Sequence, residues 1–145
     1  MTTWSEVLLS GGPWVHRADA AELPLIREAA GTTDVLLVEL DGARMSTVDE
    51  LFREYVREFS FPEYFGWNWD AFDECMHVLE ERPARAYLTI VIHADHVLSA
   101  EREDLATYLR QLEDIGHGWS SAFGLRPEWG GGEVPFHTVL IDPDY

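Results

Sequence analysis

Residues 67–77 read WNWDAFDECMH, and Asp70, Asp73, Glu74 and His77 recur there at i, i+3, i+4 and i+7. That spacing puts four titratable side chains on one face of a helix. Carboxylates beside a histidine are the ingredients of acid–base chemistry. No nucleophile motif or glycine-rich phosphate loop accompanies them, and GWSSAFG (118–124) holds serines without the G-x-S-x-G spacing. Two other readings stand. Asp70, Asp73 and Glu74 fall in the first turns of the predicted helix, where carboxylates suit its dipole. The dipole alone leaves Trp67 and Trp69 unexplained, with Tyr64 and Phe65 just before them. Aromatics beside charges are typical anchors of protein interfaces, where they exclude water around a few polar contacts. One of the two tryptophans is expected to support the helix start, and Trp69 is assigned to a partner.

Elsewhere the signals for chemistry are weaker. HADH (93–96) sets Asp95 between His93 and His96, but without a third ligand this describes a polar strand end better than a metal site. Cys75 is the single cysteine, which excludes an internal disulfide and fits a reducing compartment. Its acidic neighbours raise a thiol pKa and argue against a nucleophile. The formal net charge of −17 repels nucleic acid and anionic membranes and draws in cationic partners. No apolar run approaches the roughly eighteen residues of a membrane span. MTTWSEVLLSGGPW lacks the basic start and long apolar stretch of a secretory signal. The expectation is a cytoplasmic binding protein with no enzymatic activity, cofactor or metal, and no direct contact with nucleic acid or membrane. A small hydrolase using His77, His93 or His96 is the enzyme alternative.

A frame must hold the acidic face. VLLVEL (35–40), YLTIVI (87–92) and PFHTVLI (135–141) are short apolar runs rich in branched residues, suited to strands covered on both faces of a parallel sheet. TVDE (47–50) is a capping box. Val48, Leu51, Phe52, Tyr55, Val56 and Phe59 then make one apolar face, ended by SFP at Pro62. A second helix is predicted from Asn68 as N-cap. It turns Phe72, Cys75, Met76 and Leu79 inward and stops near EERP (80–83). A third begins after Ser99, turns Leu105, Tyr108, Leu109 and Leu112 inward, and ends at Gly116 or Gly118. The order is β-α-α-β-α-β, with right-handed crossovers. The length predicts one domain over 1–145, with 1–33 as an N-terminal extension to a 34–145 core. The extension is read as adding an edge strand and a short helix. Residues 116–134 read as a long glycine-rich loop carrying Trp119 and Trp129.

The stretch LDGARMSTVDELFREYVREFSFPEYFGWNWDAFDECMHVLE (40–80) resembles the barstar family of intracellular ribonuclease inhibitors. The likeness lies in a strand ending in DG, a capped helix, the PEYFG-x-N-x-DA turn, and an acidic residue followed by Cys75. It covers residues 35–92 well and the remaining strand and helix by pattern. Within the family the chain is similar to the inhibitors of streptomycete guanyl-specific ribonucleases. The resemblance implies an α/β fold with a three-stranded parallel sheet packed with helices. It also implies that the second helix and the loop before it plug a ribonuclease active site in a 1:1 complex. Carried over by position, Tyr64, Asn68, Asp70 and Glu74 match family contact residues. Glu74 stands where the family's prototype has its central aspartate, on an arm one methylene longer. Asp73 replaces an aromatic contact and Trp69 an aliphatic one, which suggests a differently shaped partner site. His77 shares the face, and Glu113 is the choice for a further acidic contact near the end of the third helix. In this mechanism Asp70 and Glu74 act as phosphate mimics, taking charge-assisted hydrogen bonds from the nuclease's cationic groups. The acidic potential speeds encounter. The alternative function is an acidic module of the same fold that neutralises another cationic toxin or nucleic-acid-binding protein.

Overall fold

The three apolar runs form strands β2 (Leu36–Asp41), β3 (Tyr87–Ile92) and β4 (Phe136–Asp142) of one parallel sheet. The structure is a computed structural model that describes residues 3–79, 81–120 and 134–143. Leu36 lies opposite Tyr87, and Tyr87 opposite Phe136. A fourth strand, β1 (Val15–Asp19), pairs in parallel with β4, so the order is β1-β4-β3-β2. The expected three-stranded sheet is therefore longer by one strand, and that strand is the edge expected of residues 1–33. It satisfies backbone groups that β4 would otherwise present as an open edge. The pairing starts one residue early, where the Thr138 N–H donates to the Trp14 carbonyl at 2.9 Å.

Side-chain alternation sorts the strands into two cores. Val38, Leu40, Tyr87, Val91, Phe136 and Leu140 face α3 (Val48–Phe59), α4 (Trp69–Met76) and α5 (Leu105–Ser120). Leu88, Ile90, Val139 and Ile141 face α1 (Trp4–Leu8) and α2 (Leu23–Thr32). Cover on both faces explains why β3 and β4 are apolar almost throughout.

The capping signals act as predicted. The Thr47 hydroxyl accepts the Glu50 amide at 3.1 Å, and the Glu50 carboxylate takes the Ser46 hydroxyl at 2.6 Å. The Ser46 hydroxyl, helped by Thr47, holds the Glu50 carboxyl below its ordinary range. A distant group completes the cap: the Glu101 carboxylate accepts the Val48 amide at 2.8 Å. The helix ends at Ser60, which adopts a left-handed φ of 56°.

Two helix ends differ from expectation. α4 stops at Met76 rather than near EERP, and Leu79 follows at φ 45°, its side chain buried in the larger core. α5 runs through both Gly116 and Gly118 to Ser120, and Trp119 is buried in that core rather than carried on a loop. The glycines are there for close approach. A Cβ at Gly116 would collide with the Trp14 side chain, and one at Gly118 with the His77 ring. Trp129 and the remainder of the glycine-rich stretch lie outside the described residues.

Candidate functional site

Asn68 starts the site. Its backbone is extended (φ −142°, ψ 169°), and its side-chain oxygen accepts the Ala71 amide at 2.8 Å. Its amide nitrogen donates to the Gly66 carbonyl at 3.2 Å, so both ends of the side chain are committed. This cap fixes the rotation of α4. Phe72 and Met76 point into the larger core, packed with Phe52, Tyr55 and Phe61. Asp70 and Glu74 are exposed on the other side, and the Asp73 side chain is half-exposed. The face predicted from the spacing exists.

His77 closes the face. Its Nδ1–H donates to the Asp73 carbonyl at 2.7 Å, with the Asp73 carboxylate at 3.4 Å. The Trp119 indole donates to the Met76 carbonyl at 2.8 Å, so α5 clasps the end of α4. Behind the site, the Tyr55 and Tyr108 hydroxyls share a buried hydrogen bond of 2.8 Å, and burial pushes both phenols above their ordinary range.

The loop before α4 sorts its aromatics by exposure. Tyr64 is 79% exposed, Phe65 is buried, and Trp67 is 45% exposed. Trp69 is half-buried against Phe52 (5.0 Å between ring centroids), Phe72 (5.6 Å) and Tyr108 (6.3 Å). The indole assigned to the partner from sequence is thus the one packed on the core, and the exposed indole is Trp67. The spacing itself carries the signal for Trp69, which stands at i, i+3 and i+7 with Phe72 and Met76 on the core-facing side of α4. Beside Glu74, a groove of about 260 Å³ opens between this loop and α4, lined by Phe61, Tyr64, Cys75 and Val78. Burial first, and Glu74 second, push the Cys75 thiol up, as its acidic neighbours suggested.

Glu113 does not join the α4 group. Five residues separate it from Gly118, on which His77 rests, so the two point roughly 140° apart around α5. Its charge instead acts on His16 of β1. Asp114, four residues before Gly118 and exposed, shares the strip facing His77. The i to i+4 spacing to a contact glycine is the signal that would have found it. His93 and His96 meet edge to face, 6.4 Å between ring centroids, but turn to different carboxylates: the His93 Nδ1 lies 2.8 Å from the Asp41 carboxylate, which it holds below its ordinary range, while His96 lies 3.7 Å from Asp95. Among the described residues, the carboxylates of Glu101, Glu103 and Asp104 form the only cluster close enough to share a metal, and none of them was singled out from sequence.

With this geometry in view, a family model described as "Barstar (barnase inhibitor)" matches residues 35–140 of the 145. The chain belongs to the barstar family. The match begins just before β2, so the barstar segment comprises the three expected strands and α3 to α5, while β1 and α2 lie before it. No curated protein matches the chain. Among the described residues no helix is long and apolar enough to cross a membrane.

Proposed function

We propose that this barstar-family chain is a cytoplasmic, single-domain inhibitor of a secreted microbial ribonuclease of the barnase-like or guanyl-specific kind. The observation that carries the reading is the exposed negative charge on α4. No arginine among the described residues pairs with Asp70, Asp73 or Glu74. A nuclease cleft must present cations where the scissile phosphate binds, and carboxylates held rigidly at a capped helix start can accept hydrogen bonds from them. Tyr64, Asn68 and His77 flank the contact, and Asp114 takes the α5 position first given to Glu113. Nothing in this role needs catalysis by the inhibitor, and its charge of −17 argues against direct nucleic-acid binding.

The test is titration of barnase and of a streptomycete guanyl-specific ribonuclease with the purified chain, beside an unrelated basic protein as a binding control. Inhibition of at least one nuclease with a 1:1 end point, weakened by added salt, is the expected result. Equal binding to all three proteins would point to general neutralisation of cations, and no inhibition of either nuclease would end the reading.

A further inference from the structure

We infer that Trp67 is the aromatic anchor of the inhibitory surface and that its exposed face receives an arginine side chain of the nuclease. The inference rests on the ribonuclease-inhibitor reading and names a contact residue within it.

Three observations converge on this residue. The indole is 45% exposed, immediately before the cap residue Asn68 and three residues before Asp70. Large aromatic rings are rarely left in water without a use, and at interfaces they supply contact area at small entropic cost. Second, the backbone at Trp67 is left-handed, with φ 51°. A side chain with a Cβ is disfavoured there, which is why glycine usually fills such positions. The adjacent Gly66 does not supply the turn, since its φ is not in the left-handed region. Ser60, Leu79, His93 and Leu98 share this region, and Trp67 differs from Ser60, which ends α3, in carrying a large exposed ring there. Third, the fold asks little of the ring. Among the described residues its one ring contact is Phe65, at 5.3 Å between centroids, whereas Trp69 touches three rings of the core.

The occupant follows from charge. The face of an indole attracts cations, and a guanidinium stacks flat on it while still donating hydrogen bonds in its own plane. Asp70 and Glu74, exposed and paired with no arginine among the described residues, lie on the helix that starts two residues after Trp67. An arginine arriving at this acidic face can therefore place its plane on Trp67 and its edge toward a carboxylate. Tyr64, the most exposed large hydrophobic side chain among the described residues, stands in the same loop.

The experiment measures inhibition constants against barnase and the streptomycete nuclease, with urea midpoints, for the wild type and for Trp67→Gly, Trp67→Phe, Trp67→Leu, Trp69→Ala and Asp70→Ala. Trp67→Gly is expected to weaken inhibition about tenfold or more. Its urea midpoint should stay close to wild type, because relief at φ 51° offsets the flexibility that glycine adds to the unfolded chain. Phe, which keeps a flat ring, should restore more inhibition than Leu. Trp69→Ala should instead lower the midpoint. The inference is overturned if Trp67→Gly inhibits within about threefold of wild type while Asp70→Ala does not, or if it loses as much stability as Trp69→Ala. Equal behaviour of Phe and Leu would overturn the arginine assignment. If the wild type inhibits neither nuclease, the ribonuclease reading itself falls and takes this inference with it.

Discussion

Asp70 and Glu74 hold their charges on the outside of α4, and no arginine among the described residues pairs with them. Unpaired surface carboxylates contribute little to folding, so their removal separates function from stability. Asp70→Asn and Glu74→Gln keep the shape and delete the charge. Each is expected to weaken nuclease inhibition about 10- to 100-fold, the value of a charge-assisted hydrogen bond. The urea midpoint should remain unchanged for Glu74→Gln and fall slightly for Asp70→Asn, whose carboxylate lies in the first turn and interacts with the helix dipole by up to about 1 kcal/mol. A steady-state inhibition assay at two salt concentrations, run beside a denaturation curve, checks both halves. Loss of stability in parallel with inhibition would show that the carboxylates serve the helix rather than a partner. The acids were legible in the sequence because helical spacing alone decides which face they share. Trp69 was legible in the same way, since it shares the i, i+3, i+7 face of Phe72 and Met76, but Trp67 precedes the cap, where a left-handed φ of 51° sets its direction and helical spacing does not reach.

At the scale of elements, caps were legible and close approaches were not. Thr47 and Asn68 act within three residues of themselves, so their sequence context is sufficient. Asn68→Ala should therefore cost about 1 kcal/mol of stability, and Asn68→Asp much less, as read from denaturation midpoints. Gly116 and Gly118 gave the opposite lesson. A glycine near a predicted helix end resembles a stop signal, yet here each makes room for an aromatic ring from another element. The strand β1 was faint for a similar reason, since VHRAD has too few apolar residues to declare itself and owes its place to pairing with β4. The glycines yield a prediction of sign. At an open helical site Gly→Ala is stabilising by up to about 1 kcal/mol. Gly31 of α2, with nothing near its absent Cβ, should behave so. Gly116→Ala should destabilise instead, because the Trp14 side chain occupies the space. Thermal midpoints of the two variants, compared with wild type, should move in opposite directions.

At the scale of the whole molecule, the segment before the barstar match is tied to the sheet through a pair of histidines. The His137 Nε2–H donates to the Ser10 carbonyl at 3.1 Å, which leaves its Nδ1 to accept the His16 Nε2–H at 2.8 Å. Trp14 and Trp4 pack against the two rings, and Glu113 of α5 is the charge that faces His16. Both imidazoles are built in as neutral groups. Burial lowers His16, and it pushes His137 down to about 4 from the ordinary 6.5. A proton on the His137 Nδ1 would point at the donor of His16, so the folded state resists it. Between pH 6.5 and about 4 the unfolded chain binds protons that the native chain refuses. The contribution of this pair to stability is therefore complete above pH 6.5 and is lost as the pH falls toward 4. A general effect opposes it: protonating carboxylates in a chain of charge −17 relieves self-repulsion on acidification. The difference between two proteins isolates the histidines. His137→Gln retains a donor for Ser10 and an acceptor for His16 but cannot titrate. Urea midpoints taken in steps from pH 7.5 to 4.5 should fall more steeply for the wild type than for His137→Gln, so that the curves converge at low pH. Parallel curves would mean that the pair is not a titrating clasp. Because β1 and Trp14 hang on that clasp, acid loosening should begin at the β1–β4 edge of the sheet, and amide exchange at Thr138 and Leu140 should rise before exchange at β2 does.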